Sequence, residues 1–118
     1  MDDLEICKRI AEIEDINFYV TKGERPLIGI IGENDFTGTP PEIIGEYNPL
    51  TNYSLCFQLM VEHEIHMNPD HQTKIWSACD GAGHFENNQY NKSPNKAICL
   101  AIIEANKGEK QWKALIKN

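Results

Sequence analysis

In the second half of the chain, apolar residues first follow helical spacing, then alternate as in strands, and then return to helical spacing. This order predicts a helix–strand–strand–helix unit over residues 47–107. The first helix follows Pro49, and Thr51 or Asn52 can cap it because a side-chain oxygen there accepts hydrogen bonds from free backbone N–H groups. Its expected buried face consists of Leu55, Cys56, Leu59, Met60 and His63.

Two strands and a second helix complete this predicted unit. Residues 73–79 alternate as a strand, residues 80–83 are typical of a glycine hairpin turn, and residues 84–90 are the expected partner strand. Ser93 and Pro94 predict the start of the closing helix, with serine as the cap and proline at the first helical position. The wide apolar face of this helix indicates burial and includes Ala97, Ile98, Ala101, Ile102 and Ala105.

The first half of the chain has a weaker pattern. Residues 2–14 follow helical spacing, and the short apolar runs at 17–21 and 27–31 predict strands. Residues 32–49 are rich in glycine and proline, which predicts an ordered loop with one helical turn after Pro41. A loop of this length in a compact domain often serves a purpose, so it is a candidate binding edge.

Together these elements predict one α+β domain over residues 1–118, with a small antiparallel sheet packed by two or three helices. Residues 1–46 supply the acidic helix, the first strands and the loop. Residues 47–107 form the helix–β-hairpin–helix unit. Gly108 is expected to end the closing helix, and residues 108–118 to add a last helical turn.

The net charge of −7 lies entirely in the first half. Residues 1–50 hold eleven acids and four bases, whereas residues 51–118 hold seven of each. Nucleic-acid backbones bind basic surfaces, so this chain is not expected to bind nucleic acid directly. The acidic half either attracts a basic partner or keeps the protein in solution.

The sequence also indicates whether the chain has a membrane-spanning segment, a signal peptide or paired cysteines. The longest apolar stretch, residues 97–105, is too short to cross a bilayer, and the N-terminal sequence does not resemble a signal peptide. We therefore expect a cytoplasmic protein without a membrane contact. The four cysteines are expected to be reduced and mostly buried, although four cysteines also allow two disulfides.

Three segments resemble the NinX-like family of bacteriophage and prophage proteins, whose function is unknown. They are Tyr47-Asn48-Pro49-Leu50-Thr51, then Leu55-Cys56-Phe57-Gln58-Leu59-Met60, then the Ala-Ile-Cys-Leu-Ala helix of residues 95–105. The opening segment, residues 4–12, is also similar. The resemblance implies a phage-encoded accessory protein of α+β fold in a bacterial host. It implies no activity and no catalytic residues, because the matching positions are caps and core.

Chemistry-bearing residues are scattered. His63-Glu64-Ile65-His66 fails as a zinc-protease motif because the two histidines are three residues apart instead of four. His71, Cys79 and His84 are weak candidates for a metal site, or for a Cys–His nucleophile, across the hairpin. No cofactor is expected. Three aromatic residues lie on the predicted hairpin strands, namely Trp76, Phe85 and Tyr90. They could form an exposed aromatic surface, but we expect them to pack across the strands under the helices.

Three hypotheses follow. We expect a non-enzymatic phage accessory protein that binds a host or phage protein. The most specific version of this hypothesis is an inhibitor of a host defence or nucleic-acid-binding complex. The candidate interaction residues are Glu33, Asp35, Glu42, Glu46, Asp80 and His84. The alternative is a small metal- or thiol-dependent enzyme that uses Cys79, His84 and His71. A third hypothesis is a homodimer joined through open sheet edges.

Overall fold

The computed structural model describes residues 1–31, 43–80 and 88–116, and their side chains except those of residues 43 and 108–116. These residues form an α+β fold with three α-helices and two three-stranded antiparallel sheets, which confirms the fold class. The chain divides into two compact units, Met1–Asn48 and Pro49–Asn118. The description of residues 1–118 as one domain stays a prediction.

The first unit consists of α1 (Asp3–Ile13), β1 (Phe18–Val20), β2 (Ile28–Ile31) and β3 (Ile43–Glu46). Asp2 caps α1 by accepting a hydrogen bond of 2.8 Å from the Glu5 N–H. The buried side of α1 holds Ile6, Cys7, Ile10 and Ala11, and the helix packs against β2. The helical pattern of the first residues is therefore confirmed.

β3 is a strand where the sequence predicts a loop. It pairs antiparallel with β2, opposite Gly29 and Ile30, and makes β2 the central strand of the first sheet. β3 is only four residues long and contains Gly45, so no local pattern reveals it. Its pairing comes from β2, which offers a free edge. The preceding residues of the predicted loop, 32–42, lie outside the described residues.

The second unit consists of α2 (Tyr53–Glu62), β4 (Ile65–Pro69), β5 (Trp76–Asp80), β6 (Gln89–Asn91) and α3 (Pro94–Ile116). This order confirms the helix–strand–strand–helix unit and adds β4 to it. β5 begins at Trp76 because residues 70–75 form the turn, in which Lys74 has a φ of 61°. The expected hairpin turn and most of its partner strand lie at residues 81–87, outside the described residues.

α3 starts as expected but does not end as expected. The Ser93 hydroxyl accepts a hydrogen bond of 3.2 Å from the Lys96 N–H, so serine is the cap. The helix then continues through Gly108 to Ile116, without a separate last turn. A glycine inside a helix costs only about 1 kcal/mol relative to alanine, and the residues beyond it are good helix formers.

The core of the second unit lies between α3 and one face of its sheet. Ile65 and Ala78 lie on this face, and the buried residues of α3, which packs against all three strands, include Ala97 and Ile102. Alternation along the strands places a different set on the other face, namely His66, Asn68, Ser77, Cys79 and Tyr90. Trp76 and Tyr90 thus lie on opposite faces. Tyr90 is exposed, so the expected packing of these aromatics under the helices is wrong for Tyr90.

Candidate functional site

The solvent side of α2 carries three large apolar side chains in one row. Tyr53, Phe57 and Val61 are spaced four residues apart, which aligns them along one flank of the helix. Their side chains are 75%, 61% and 59% exposed, respectively. The opposite side of α2 buries Cys56 and Leu59. We call Tyr53, Phe57 and Val61 the α2 stripe.

A polar row with little charge borders the α2 stripe. It consists of Ser54, Gln58 and Glu62, which are all exposed. Glu62 is the single charged residue of α2, and exposed Glu64 follows the helix. The first turn of α2 has no acid and its last turn has no base, so nothing within the helix offsets its dipole. The C-terminal end of the stripe is therefore distinctly negative.

Contacts at the start and on the inner side of α2 hold the helix in place. The Asn52 side chain accepts a hydrogen bond of 3.1 Å from the Leu55 N–H and so begins the helix. On the inner side, the Cys56 thiol lies 3.8 Å from the carbonyl oxygen of Asn95 in α3. These contacts hold α2 against α3 and keep its outer flank presented to solvent.

No family model, no curated protein and no solved structure matches this chain. Within the described ranges, no helix combines the length and the apolar character that crossing a membrane requires.

Two residues of the predicted Cys–His cluster, Cys79 and His71, are described, and they lie towards opposite ends of the β4–β5 hairpin. Cys79 is buried in β5, and its antiparallel partner in β4 is His66. His71 is exposed in the turn beyond Pro69, at the other end of the β4–β5 hairpin. Cys79 is three positions along β5 from Trp76, which pairs with Pro69 at the turn end of the hairpin, and three positions span about 10 Å. His84 lies outside the described residues.

Two of the candidate interaction residues, Glu46 and Asp80, are among the described residues. Glu33, Asp35, Glu42 and His84 lie outside the described residues. In the first unit, Glu46 is exposed on β3 and accepts a hydrogen bond of 3.3 Å from the Asn48 side-chain amide. In the second unit, Asp80 ends β5, and its buried Oδ1 has no hydrogen-bond partner among the described residues.

A groove of about 700 Å³ lies along the outer face of the second sheet and the β4–β5 turn. It is lined in part by Asn68, Asp70, His71, Ser77 and Tyr90. Asp70 shapes the turn, because its carboxylate accepts from the Gln72 N–H at 2.9 Å and from the Thr73 N–H at 3.5 Å. These bonds hold the pKa of Asp70 below its ordinary value of 3.8.

Of the buried face predicted for α2, Cys56 and Leu59 are buried and Leu55, Met60 and His63 are half-buried, whereas the α2 stripe was not predicted. The available signal was a second set of apolar residues at i, i+4 and i+8, beside the set that contains Cys56 and Leu59. A short helix with apolar residues on both sides is consistent with full burial as well as with a binding face. The structure decides between them, since the α2 stripe is largely exposed.

Proposed function

We propose that this chain is a non-enzymatic accessory protein, encoded by a phage or prophage, that acts by binding a host or phage protein. The observation that supports this proposal most directly is the α2 stripe. Scattered exposed apolar residues are ordinary, but a contiguous aromatic and aliphatic row with a polar border is typical of interaction sites. The resemblance to NinX-like proteins supports the phage origin.

The mode of binding that fits the α2 stripe is a helix laid into a groove. Residues at i, i+4 and i+8 of one helix enter an apolar groove on the partner, and the polar row forms the rim. Tyrosine and phenylalanine are favoured anchors, because they bury a large area at a small cost in side-chain entropy. Phe57, in the middle of the row, is the expected central anchor.

The negative charge at the C-terminal end of α2 indicates which charge the partner should carry. Glu62, Glu64 and the uncompensated C-terminal end of the helix together favour a lysine or arginine on the partner. The partner is therefore an apolar groove with a basic residue at one end. The net charge of −7 would also speed the encounter with a basic protein. A host defence or nucleic-acid-binding protein has this character, and the bound chain would act as its inhibitor.

Affinity purification from infected or lysogenic bacteria, followed by reconstitution with the purified partner, tests this proposal. We expect Phe57→Ser to weaken the measured Kd by about 30-fold, as for a central anchor. Glu62→Lys should weaken it by about 5-fold, and that effect should shrink at high salt. Both side chains are exposed, so neither change should alter the fold.

Tyr90→Ser is the matched control. Tyr90 is an aromatic residue of the same unit and is 64% exposed, but it lies on the outer face of the sheet. The proposal requires binding to survive Tyr90→Ser and to fail with Phe57→Ser. A Kd that is unchanged by Phe57→Ser would overturn the proposal. Sedimentation that shows a dimer dependent on Phe57 would overturn it too, because a second copy would then cover the α2 stripe.

A further inference from the structure

Two of the four cysteines meet in the core of the second unit. Cys56 on α2 and Cys99 on α3 are 1% and 0% exposed. The Cys56 thiol donates to the carbonyl oxygen of Asn95 at 3.8 Å, and Asn95 lies one helical turn before Cys99. The Cys56 thiol also has a side-chain hydrogen bond with Cys99. The two sulfur atoms are thus neighbours on two different helices.

We propose that Cys56 and Cys99 form a reversible disulfide that ties α2 to α3 when the protein meets a small disulfide oxidant such as oxidised glutathione. Side chains that already touch across two helices need little movement to reach disulfide geometry. Such a bond does not depend on what the α2 stripe binds.

The reaction is thiol–disulfide exchange in two steps. The Cys56 thiolate attacks one sulfur of the oxidant, which forms a mixed disulfide and releases one glutathione thiol. The Cys99 thiolate then attacks the Cys56 sulfur and releases the second glutathione. Two S–H bonds and the S–S bond of the oxidant are broken, the S–S bond of the protein forms, and both protons leave on the two glutathione thiols. The oxidant takes up the two electrons.

The surroundings of Cys56 favour it as the first nucleophile. Its hydrogen bond with Cys99 lowers the pKa of the Cys56 thiol, against the opposing effect of burial. Access requires α2 to open, and α2 is a helix of ten residues in which only Cys56 and Leu59 are buried. Short elements with few buried contacts open locally at low cost. Cys99, in the middle of the buried face of α3, then receives the second step.

Mass spectrometry of the whole chain tests the assignment. The purified protein is equilibrated with mixtures of oxidised and reduced glutathione, quenched with acid, alkylated after denaturation and digested. We expect two of the four thiols to be lost, and one crosslinked peptide pair to join Cys56 to Cys99. Dithiothreitol should restore all four. The crosslink closes a loop of about 43 residues, so the oxidised protein should melt roughly 10 °C higher.

Serine variants separate this pair from the other two cysteines. The double variant C7S/C79S keeps Cys56 and Cys99 and should form the same crosslinked peptide pair. Cys56→Ser should abolish that peptide pair. Four alkylated thiols at every glutathione ratio would overturn the proposal, as would a crosslink of the wild-type protein that joins Cys7 or Cys79. Both of these contrary results are measured on the wild-type protein, so they remain decisive even if a serine variant folds poorly.

Discussion

The side-chain amide of Asn95 donates a hydrogen bond of 3.1 Å to the backbone carbonyl of Leu50, which lies 45 residues earlier in the chain. Asn95 is only 7% exposed, in the first turn of α3, and Leu50 lies just before the start of α2. The carbonyl of Asn95 accepts from the Cys56 thiol, so both ends of this residue contact the α2 segment. Asn95 therefore links the segment that begins α2 to the start of α3 through two hydrogen bonds.

Asn95→Ala should lower the free energy of unfolding by about 2 kcal/mol, because the buried hydrogen bond from the Asn95 amide to the Leu50 carbonyl is lost. Urea denaturation followed by circular dichroism measures this change. Asn106→Ala is the control, since the Asn106 amide donates to the Ile102 carbonyl within α3 itself and alanine favours the helix. Equal losses for the two variants would contradict the bridging role of Asn95.

Asn52→Ala should destabilise the second unit by about 1 kcal/mol, because the Leu55 N–H at the start of α2 loses its acceptor. Thermal and urea unfolding of the purified variants provide the measurement. The sequence left Thr51 and Asn52 as alternative caps, and the structure selects Asn52. Thr51→Ala should accordingly change stability by less than about 0.5 kcal/mol. A comparable loss for Thr51→Ala would show that the cap is shared.

Helix starts were readable from the sequence because capping is local. Asp2, Asn52 and Ser93 each precede a run with helical spacing, and each accepts a backbone hydrogen bond three residues on. The physical cause lies within four consecutive residues, so one sequence is enough to predict it.

Other features depend on contacts that no local window contains. β3 is a strand because β2 pairs with it, although Gly45 and its neighbours have a weak strand pattern. The expected helix end at Gly108 was wrong for a local reason instead, because a good helix-forming segment continues on both sides of the glycine. Exposure is likewise set by tertiary structure. Phe57 and Leu59 are equally apolar in the sequence, yet one is 61% exposed and the other 3%.

Asp70→Asn should remove an acid-sensitive contribution to stability. The backbone N–H of Gln72, and then the side chain and N–H of Thr73, lower the pKa of Asp70 from 3.8 in the folded chain. A lowered folded-state pKa stabilises the protein at pH values above the unfolded pKa, and this stabilisation is lost as the pH falls through the folded pKa. Asp70→Asn should be less stable than wild type at neutral pH, and the two should converge in acid, below both pKa values.

An NMR titration of the Asp70 carboxyl group, with thermal unfolding of both proteins from neutral pH to about pH 2, checks this expectation. A carboxyl pKa at or above 3.8 would contradict the hydrogen-bonded turn. A difference in stability that stays constant with pH would show that the substitution acts through something other than the charge.

Glu64→Gly should stabilise the second unit by about 0.5 to 1 kcal/mol. Glu64 directly follows His63, the C-cap residue of α2, and has a φ of 53°. In this left-handed region a residue with a side chain is strained, whereas glycine is not. Glu62→Gly is the matched control, because Glu62 is also exposed and the substitution also removes one carboxylate. Inside the helix, however, glycine should destabilise by about 1 kcal/mol. Opposite signs in urea denaturation would assign the effect to the backbone conformation at Glu64, whereas a loss of stability in both variants would contradict it.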